Sequence, residues 1–490
     1  MKYSPKSITI SLTLLISGLL LVSPQALTFI GAAAQELREH ILHNRPSPSP
    51  DINDPNLQVE EVFEGLELPT SMAFLDEDDI LVTEKDSGEV QRIVDGEMQE
   101  EPVIDVEVAN NDERGLLGID ISNTNGTGQY VFLYFTESGG SEDGDDWSEG
   151  TPPAGTRLYR YNVVPGIGED AQVQLASETL LLDLPGTPGP RYHGGPVAIG
   201  PDNNAYVVIG TVDHHETQAQ NIEDGPEPDG TSGVMRITQE GEVEDIQGII
   251  SDETPVNLYY AYGIRQSFGM EFDPVTGNLW DTENGPNEYD ELNLVEPGFN
   301  SGWREVSGLA ERAGDLDIEE DLVDFDGRGS YSDPEFTWQQ TVAPTGLDFL
   351  DSSALGATYQ NDLFVGDYNN GNLYHFDLNA DRTQLVLGGD LADRALDPGD
   401  EVDDILFGTG FGGITDVEVG PDGYLYVLTF QDDDGSIFRI VPSDLDTDGD
   451  DTDEAEEEVE VEEEVEEEPA DGTGVPSLAQ ILAERVTYTP

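Results

Sequence analysis

The chain contains no cysteine, which excludes disulfides, thiolate metal sites and a cysteine nucleophile. Positive charge is nearly missing as well. Only 19 Lys and Arg stand against 104 Asp and Glu in 490 residues, for a formal net charge of −85. After Lys2 and Lys6 the one remaining lysine is Lys85. So acidic a chain repels nucleic acid and anionic membrane surfaces, so neither is expected as a partner. Its self-repulsion should be relieved by salt. Because the acid is spread through the body of the chain as well as its tail, it reads as adaptation to high external salt. A merely acidic secreted protein is the alternative. Hydrophobic residues are also scarce, at 36%, though sufficient for a core, and 54 Gly with 30 Pro predict many turns.

What is present divides the chain into segments. Residues 1–34 read as a signal peptide or N-terminal membrane anchor: Lys2 and Lys6 precede an uncharged stretch from Ser7 to Ala34 that ends in Ala32-Ala33-Ala34. Either form gives an extracellular or extracytoplasmic destination. Residues 35–56 form a linker, polar and Pro-rich from His43 to Pro55. Residues 443–490 are an acidic tail expected to be solvated and disordered. Within the tail, Asp444 to Gly449 resembles the start of an EF-hand loop, but the twelfth position is Ala455 rather than Glu. Val475 to Val486 has the pattern of a short amphipathic helix.

Between linker and tail one pattern recurs: an apolar strand, a Pro-Asp or Asp-Gly turn, a second strand, a loop, and a strand ending near Arg. The clearest copy runs from Ile414 through Gly420-Pro421-Asp422-Gly423 to Leu428 and then Ile437 to Ile440. A second runs from Pro196 through Gly200-Pro201-Asp202-Asn203 to Ile209 and then Val234 to Ile237. Weaker copies begin near Thr70, Leu116, Phe268 and Thr345. β-branched and aromatic residues at short period indicate strands. About six copies predict an all-β, six-bladed β-propeller over residues 57–442. The segment Leu57 to Phe63 is placed to complete the last blade and close the ring, and the long loops (138–155, 211–230, 308–333) are expected on one face. A β-sandwich pair is the competing fold.

The densest chemistry lies in residues 262–303. Arg265 is a cation upstream of an acid and carbonyl loop, Glu283 to Asn293. In that loop Gly285-Pro286 leaves carbonyl oxygens free, and Asp290, Glu291 and Asn293 add side-chain oxygens. Such a donor set suits a hard cation such as calcium. His214 and His215 offer a further metal-binding possibility, with a polar surface loop as the plainer reading.

Taken in order, Glu113-Arg114-Gly115-Leu116-Leu117-Gly118, His193-Gly194-Gly195, Gly263-Ile264-Arg265-Gln266, Glu283-Asn284-Gly285-Pro286, Asp290-Glu291-Leu292-Asn293 and Asn300-Ser301-Gly302-Trp303 give the chain a resemblance to the soluble glucose/sorbosone dehydrogenase family. The resemblance covers roughly residues 57–442. It implies a propeller that uses pyrroloquinoline quinone and Ca2+ to oxidise the C1 hydroxyl of an aldose sugar. A histidine base takes the hydroxyl proton while hydride passes to the quinone. On this resemblance Arg265 and Gln266 contact the quinone, with Glu113 and Tyr192 facing it. The Gly285 and Pro286 carbonyls hold a cofactor-side calcium. Glu291 belongs to a structural calcium site and Asp290 supports the same loop. His193 is the candidate base, although alignment through the glycines puts Tyr192 at the family's histidine position. In an extended segment, that one-residue shift turns a side chain to the opposite face. The lysine and paired arginines of the glucose-oxidising members are missing; Asn369 and Thr415 lie near those positions. The electron acceptor and the sugar are not specified. Two other readings stay open: a non-catalytic, calcium-stabilised propeller that binds a glycan or protein, and a lactonase-like hydrolase.

Overall fold

The computed structural model describes residues 49–443, apart from 125–127, 141, 145–150, 167–172, 214, 244–249, 252, 315 and 432–433. The expectations for the leader, the first part of the linker, His214 and the acidic tail lie outside the described residues. Among the described residues no helix is long and apolar enough to cross a membrane.

Strands dominate, and they form an all-β propeller arrangement of six hydrogen-bonded sheets. Five sheets begin at the repeats found in the sequence, and each starts as a run of antiparallel neighbours; the third and fourth add short parallel strands at the outer edge, Phe299–Asn300 with Ser330–Tyr331 and Ala395–Leu396. The second, for example, is Leu116–Thr124, Gly128–Glu137, Gly155–Val164 and Gln174–Leu184 in order. The innermost strands are Pro69–Asp76, Leu116–Thr124, Val197–Ile199, Gly269–Phe272, Pro344–Phe349 and Gly413–Val419. Each touches the next, and the last touches the first, so they form a closed cycle around a channel. The sixth sheet mixes the two ends of the ring: Leu57–Leu66 pairs antiparallel with Asp434–Pro442. The linker reading ends earlier than expected, because Asp51–Ile52 adds to the edge of the fifth sheet opposite Gly408 and Thr409.

The recurrent turns have a common construction. Asp202 accepts hydrogen bonds from the Asn204 amide (3.1 Å) and the Tyr206 hydroxyl (2.8 Å). Asp422 repeats this with the Tyr424 amide (3.1 Å) and the Tyr426 hydroxyl (2.9 Å). Each aspartate thereby holds its own hairpin and anchors an aromatic ring of the second strand. Apolar side chains of neighbouring sheets fill the space between them, as where Phe132, Tyr134 and Leu158 meet Val207, Ile209 and Met235. Acids also join blade to blade along the channel. Asp120 accepts from the Ile199 amide (2.7 Å), Asp348 from Val419 (2.6 Å) and Asp416 from Met72 (2.8 Å). Of the long loops, 211–230 packs on 308–333 and on the segment before it through Asn221, which bonds the Val323 amide, Asn300 and the Trp303 carbonyl.

Candidate active site

One end of the channel opens into a cavity of about 330 Å³. Leu68, Pro69, Leu117, Phe268 and Phe430 give it apolar walls, and Lys85, Asp112, Glu113, Tyr368 and Thr415 supply the polar groups. Gly194 and Gly195 leave one side of it without a side chain. Gly194 cannot be replaced easily: its φ is +76°, and a Cβ there would lie 2.0 Å from the Val208 carbonyl oxygen.

Behind this wall runs a continuous polar relay. Glu113 Oε2 accepts from the Tyr192 amide (2.6 Å) and from Gln266 Nε2 (3.1 Å). Gln266 Oε1 accepts from the Gly194 amide (3.0 Å), which fixes the orientation of its side-chain amide. The Arg265 guanidinium lies 4.3 Å from the Tyr192 ring centroid and donates to the Tyr192 hydroxyl (2.9 Å). It also donates to the carbonyls of Asn284 (2.7 Å) and Gly285 (3.2 Å). Burial pushes the Glu113 carboxyl above its ordinary range, partly offset by the hydrogen bond from the Tyr192 amide. Arg265, Gln266, Glu113 and Tyr192 are thus brought together in one hydrogen-bonded group.

His193 does not join them. It is fully buried and absent from the cavity lining. Its Nε2–H faces the Gly189 carbonyl at 3.0 Å, and this tautomer leaves Nδ1 to accept from the Thr156 hydroxyl at 2.9 Å. Desolvation lowers its pKa to about 4, with the nearby Arg114 acting in the same direction. Both nitrogens are occupied inside the protein, so the expected role as base has no geometric support. Tyr192, with φ +62°, and Gly194 put left-handed backbone on either side of His193, so strand alternation does not govern where its ring points.

The cation loop also differs from its reading. Gly285 presents its carbonyl to Arg265 rather than to open space, and Pro286 is exposed. Asp290 spends both carboxylate oxygens on backbone: Oδ1 accepts from Gly285 N (2.8 Å), and Oδ2 from Val342 N (2.7 Å) and Ala343 N (2.8 Å). Burial still raises its pKa to about 6. Asp290 is therefore a clamp between two loops, on the opposite strand face from Glu291.

On the Glu291 face a different set converges. Strands Leu279–Glu283 and Glu288–Val295 pair Asp281 with Asn293 and Glu283 with Glu291, which puts all four on one face. All four are buried. Glu283 accepts from the Arg265 amide (2.7 Å) and the Ser301 hydroxyl (2.5 Å), and Glu291 from the Gly308 amide (2.5 Å). Neither Asp281 oxygen, nor Asn293 Oδ1, has a hydrogen-bond partner of ordinary geometry, although the Asn293 amide lies near enough to favour the Asp281 charge. Burial drives Glu283 up to about 7 and pushes Asp281 and Glu291 well above the carboxylate range, each further raised by a neighbouring acid of the loop. Orphaned buried oxygens are costly, and a cation among them removes that cost. This donor set fits calcium. Asp281 was missed in the sequence, where its signal is the alternation Asp281-x-Glu283 against Glu291-x-Asn293.

Comparison with known proteins agrees with this architecture. The sequence profile described as Glucose / Sorbosone dehydrogenase matches residues 66–439. The chain is 25% identical over 388 residues to the aldose sugar dehydrogenase YliI of Escherichia coli, covering 79% of this chain and 93% of that protein. It is 25% identical over 286 residues to quinoprotein glucose dehydrogenase B of Acinetobacter calcoaceticus, covering 55% and 57% of the two chains. The fold is similar to that of the PQQ-bound aldose sugar dehydrogenase of Streptomyces coelicolor, with a TM-score of 0.53 at 21% identity, covering 81% of this chain and all of the other.

Proposed function

The chain belongs to the glucose/sorbosone dehydrogenase family, and we propose that it is an exported, six-bladed quinoprotein that oxidises the C1 hydroxyl of aldose sugars with pyrroloquinoline quinone and calcium. The observation that carries the reading is the cavity backed by Glu113, Gln266, Tyr192 and Arg265. Its apolar walls and the Gly194–Gly195 side suit a flat ring, and Lys85 and Arg265 are the cations for an anionic quinone. Lys85 is held by Asp86 and by the carbonyls of Asp112 and Arg114 (both 3.0 Å). When bound, the quinone supplies a two-electron hydride acceptor. The protein's own share is orientation and charge. Arg265 favours negative charge that develops near it, and Gln266 fixes Glu113. Calcium belongs with Asp281, Glu283, Glu291 and Asn293, where it props the loop that carries the Arg265 contacts. The closed cycle of six inner strands supports the blade count. Export rests on residues 1–34 alone.

The test is reconstitution with pyrroloquinoline quinone and Ca2+ at molar salt, followed by quinone absorbance and dye reduction with a panel of aldoses. Stoichiometric uptake and sugar-dependent reduction are expected; no uptake and no reduction across the panel would sink the reading. The burial of His193 favours a second reading, a propeller that only binds a glycan or protein. It predicts stabilisation by calcium with no quinone uptake.

A further inference from the structure

We propose that the carboxylate of Glu113, and not a histidine, is the base that takes the hydroxyl proton of the sugar. The inference rests on the sugar-dehydrogenase reading above and deepens it. A base must reach the cavity with a free lone pair. Among the described residues that line the cavity, four have titratable side chains: Lys85, Asp112, Glu113 and Tyr368. Lys85 is an ammonium clamped by Asp86 and backbone carbonyls. Asp112 is paired with Arg191 at 2.8 Å on the open rim. Tyr368 is a substantially exposed phenol, a weak base at neutral pH.

Glu113 differs from all three. Its two side-chain hydrogen bonds both end on Oε2, and among the described residues none reaches Oε1. One oxygen therefore orients the carboxylate and the other remains available to substrate. The orientation is doubly fixed, because Gln266 is itself held by the Gly194 amide and the Glu113 amide donates to the Pro190 carbonyl (3.1 Å). Burial makes the carboxylate more basic than an exposed one. Tyr192 occupies the position that sequence alignment reserves for the histidine, and its hydroxyl accepts from Arg265. Its backbone amide is one of the two groups that aim Glu113.

The chemistry balances without another reactant. The O–H bond at C1 breaks, and its proton goes to Glu113 Oε1. The C1–H bond breaks with its electron pair, which leaves as hydride to the bound quinone. A C=O bond forms at C1, so a cyclic aldose loses a proton and a hydride, two protons and two electrons in all, and becomes a lactone. The proton later leaves Glu113 for solvent.

The experiment compares the calcium- and quinone-loaded wild type with Glu113→Gln. Glutamine keeps the shape and can still accept from the Tyr192 amide, so the thermal midpoint and quinone uptake by absorbance should stay near wild type. kcat should fall by about 100-fold or more, within the range of general-base catalysis. The acid limb of the kcat/KM profile, where the base becomes protonated, should vanish. Activity within threefold of wild type, or an acid limb that survives in E113Q, overturns the proposal. Quinone uptake lost in parallel with activity overturns it too, since Glu113 is then a binding group. If E113Q does not fold, Glu113→Asp carries the test: a lowered kcat with the limb retained supports the base, and an unchanged kcat overturns it. A wild type that neither takes up quinone nor oxidises sugar defeats the parent reading, whereas an active wild type with an active E113Q defeats this inference alone.

Discussion

At the scale of single residues, His193 is a structural histidine whose two nitrogens are both spoken for, and this has a pH signature. Its pKa falls from 6.5 in the unfolded chain to about 4 in the folded one. Between those values the unfolded state binds the extra proton, so this group's contribution is fully present above about 6.5 and is lost as pH falls toward about 4. The shift corresponds to about 3 kcal/mol at most. His193→Ala should therefore lower the thermal midpoint at neutral pH, and the gap between variant and wild type should narrow as the pH is lowered to about 4. A gap that stays constant with pH contradicts this. Quinone uptake should survive the substitution. The position of this ring was not legible in the sequence. Arg191-Tyr192-His193-Gly194-Gly195 looks extended, yet φ is +62° at Tyr192 and +76° at Gly194, so residue alternation fails as a guide to which face a side chain takes. Glu113 was legible as a polar group at the site, but its available Oε1 depends on two hydrogen bonds that come from residues 79 and 153 positions away.

At the scale of elements, the hairpin of Leu279–Glu283 and Glu288–Val295 converts a sequence pattern into a site. The abundance of acid around Glu283 to Asn293 suggested a cation site, but register decides which acids face one another. Asp281, Glu283, Glu291 and Asn293 face one way, while Asp290 faces the other and holds the 342–343 backbone. Without a cation, the raised carboxyls bind protons more tightly in the folded state. Their stabilising effect is then present below the unfolded carboxylate range and lost as pH rises through the folded value, about 7 for Glu283. On the proposed reading, calcium takes the place of the protons, and adding it should abolish that loss. Thermal unfolding in chelator should therefore show a midpoint that drops between about pH 5 and 7.5, and millimolar CaCl2 should flatten the curve. At a calcium concentration of about 100 times Kd the gain is on the order of 2.7 kcal/mol. Asp281→Asn should reduce the calcium gain at neutral pH while leaving the fold intact, and an unchanged gain would remove Asp281 from the site. The propeller strands themselves were largely legible, because the Gly-Pro-Asp turns at Asp202 and Asp422 have a local hydrogen-bonding logic.

For the whole molecule, the channel joins two chemically unlike ends. The inner strands, with Phe268 directly before the fourth, present Thr70, Leu117, Phe268, Thr345 and Thr415 to the candidate active site. Three residues further along each of four of them, Asp120, Glu271, Asp348 and Glu418 line a second cavity, of about 480 Å³. Asp416 lies close enough to raise Glu271, Asp348 and Glu418. Burial alone pushes Asp120 to about 7; burial and then neighbouring acids push Asp348 and Asp416 to about 7 and hold Glu271 and Glu418 well above the ordinary carboxylate range. The cluster is hard to see in the sequence, because its acids come from four different repeats, with only Asp416 and Glu418 sharing a strand, and ring closure assembles them. Repulsion there adds to that of a chain with a net charge of −85. Both act in the same sense: raised carboxyls stabilise while protonated, and that stability is lost as pH rises through about 7. Salt attenuates the surface part strongly and the channel part less. In about 0.1 M NaCl the thermal midpoint should consequently fall between pH 6 and 8.5 by on the order of 5 °C or more. At 2 M NaCl the fall should be smaller but still present, because charges set back in the channel are screened less than those on the open surface. Asp120→Asn with Asp348→Asn should remove part of the residual high-salt slope, at some cost in blade-to-blade bonding through Ile199 and Val419. A slope that disappears completely in salt would assign the effect to the surface, and the channel acids would then have to be neutralised by a bound cation rather than by protons.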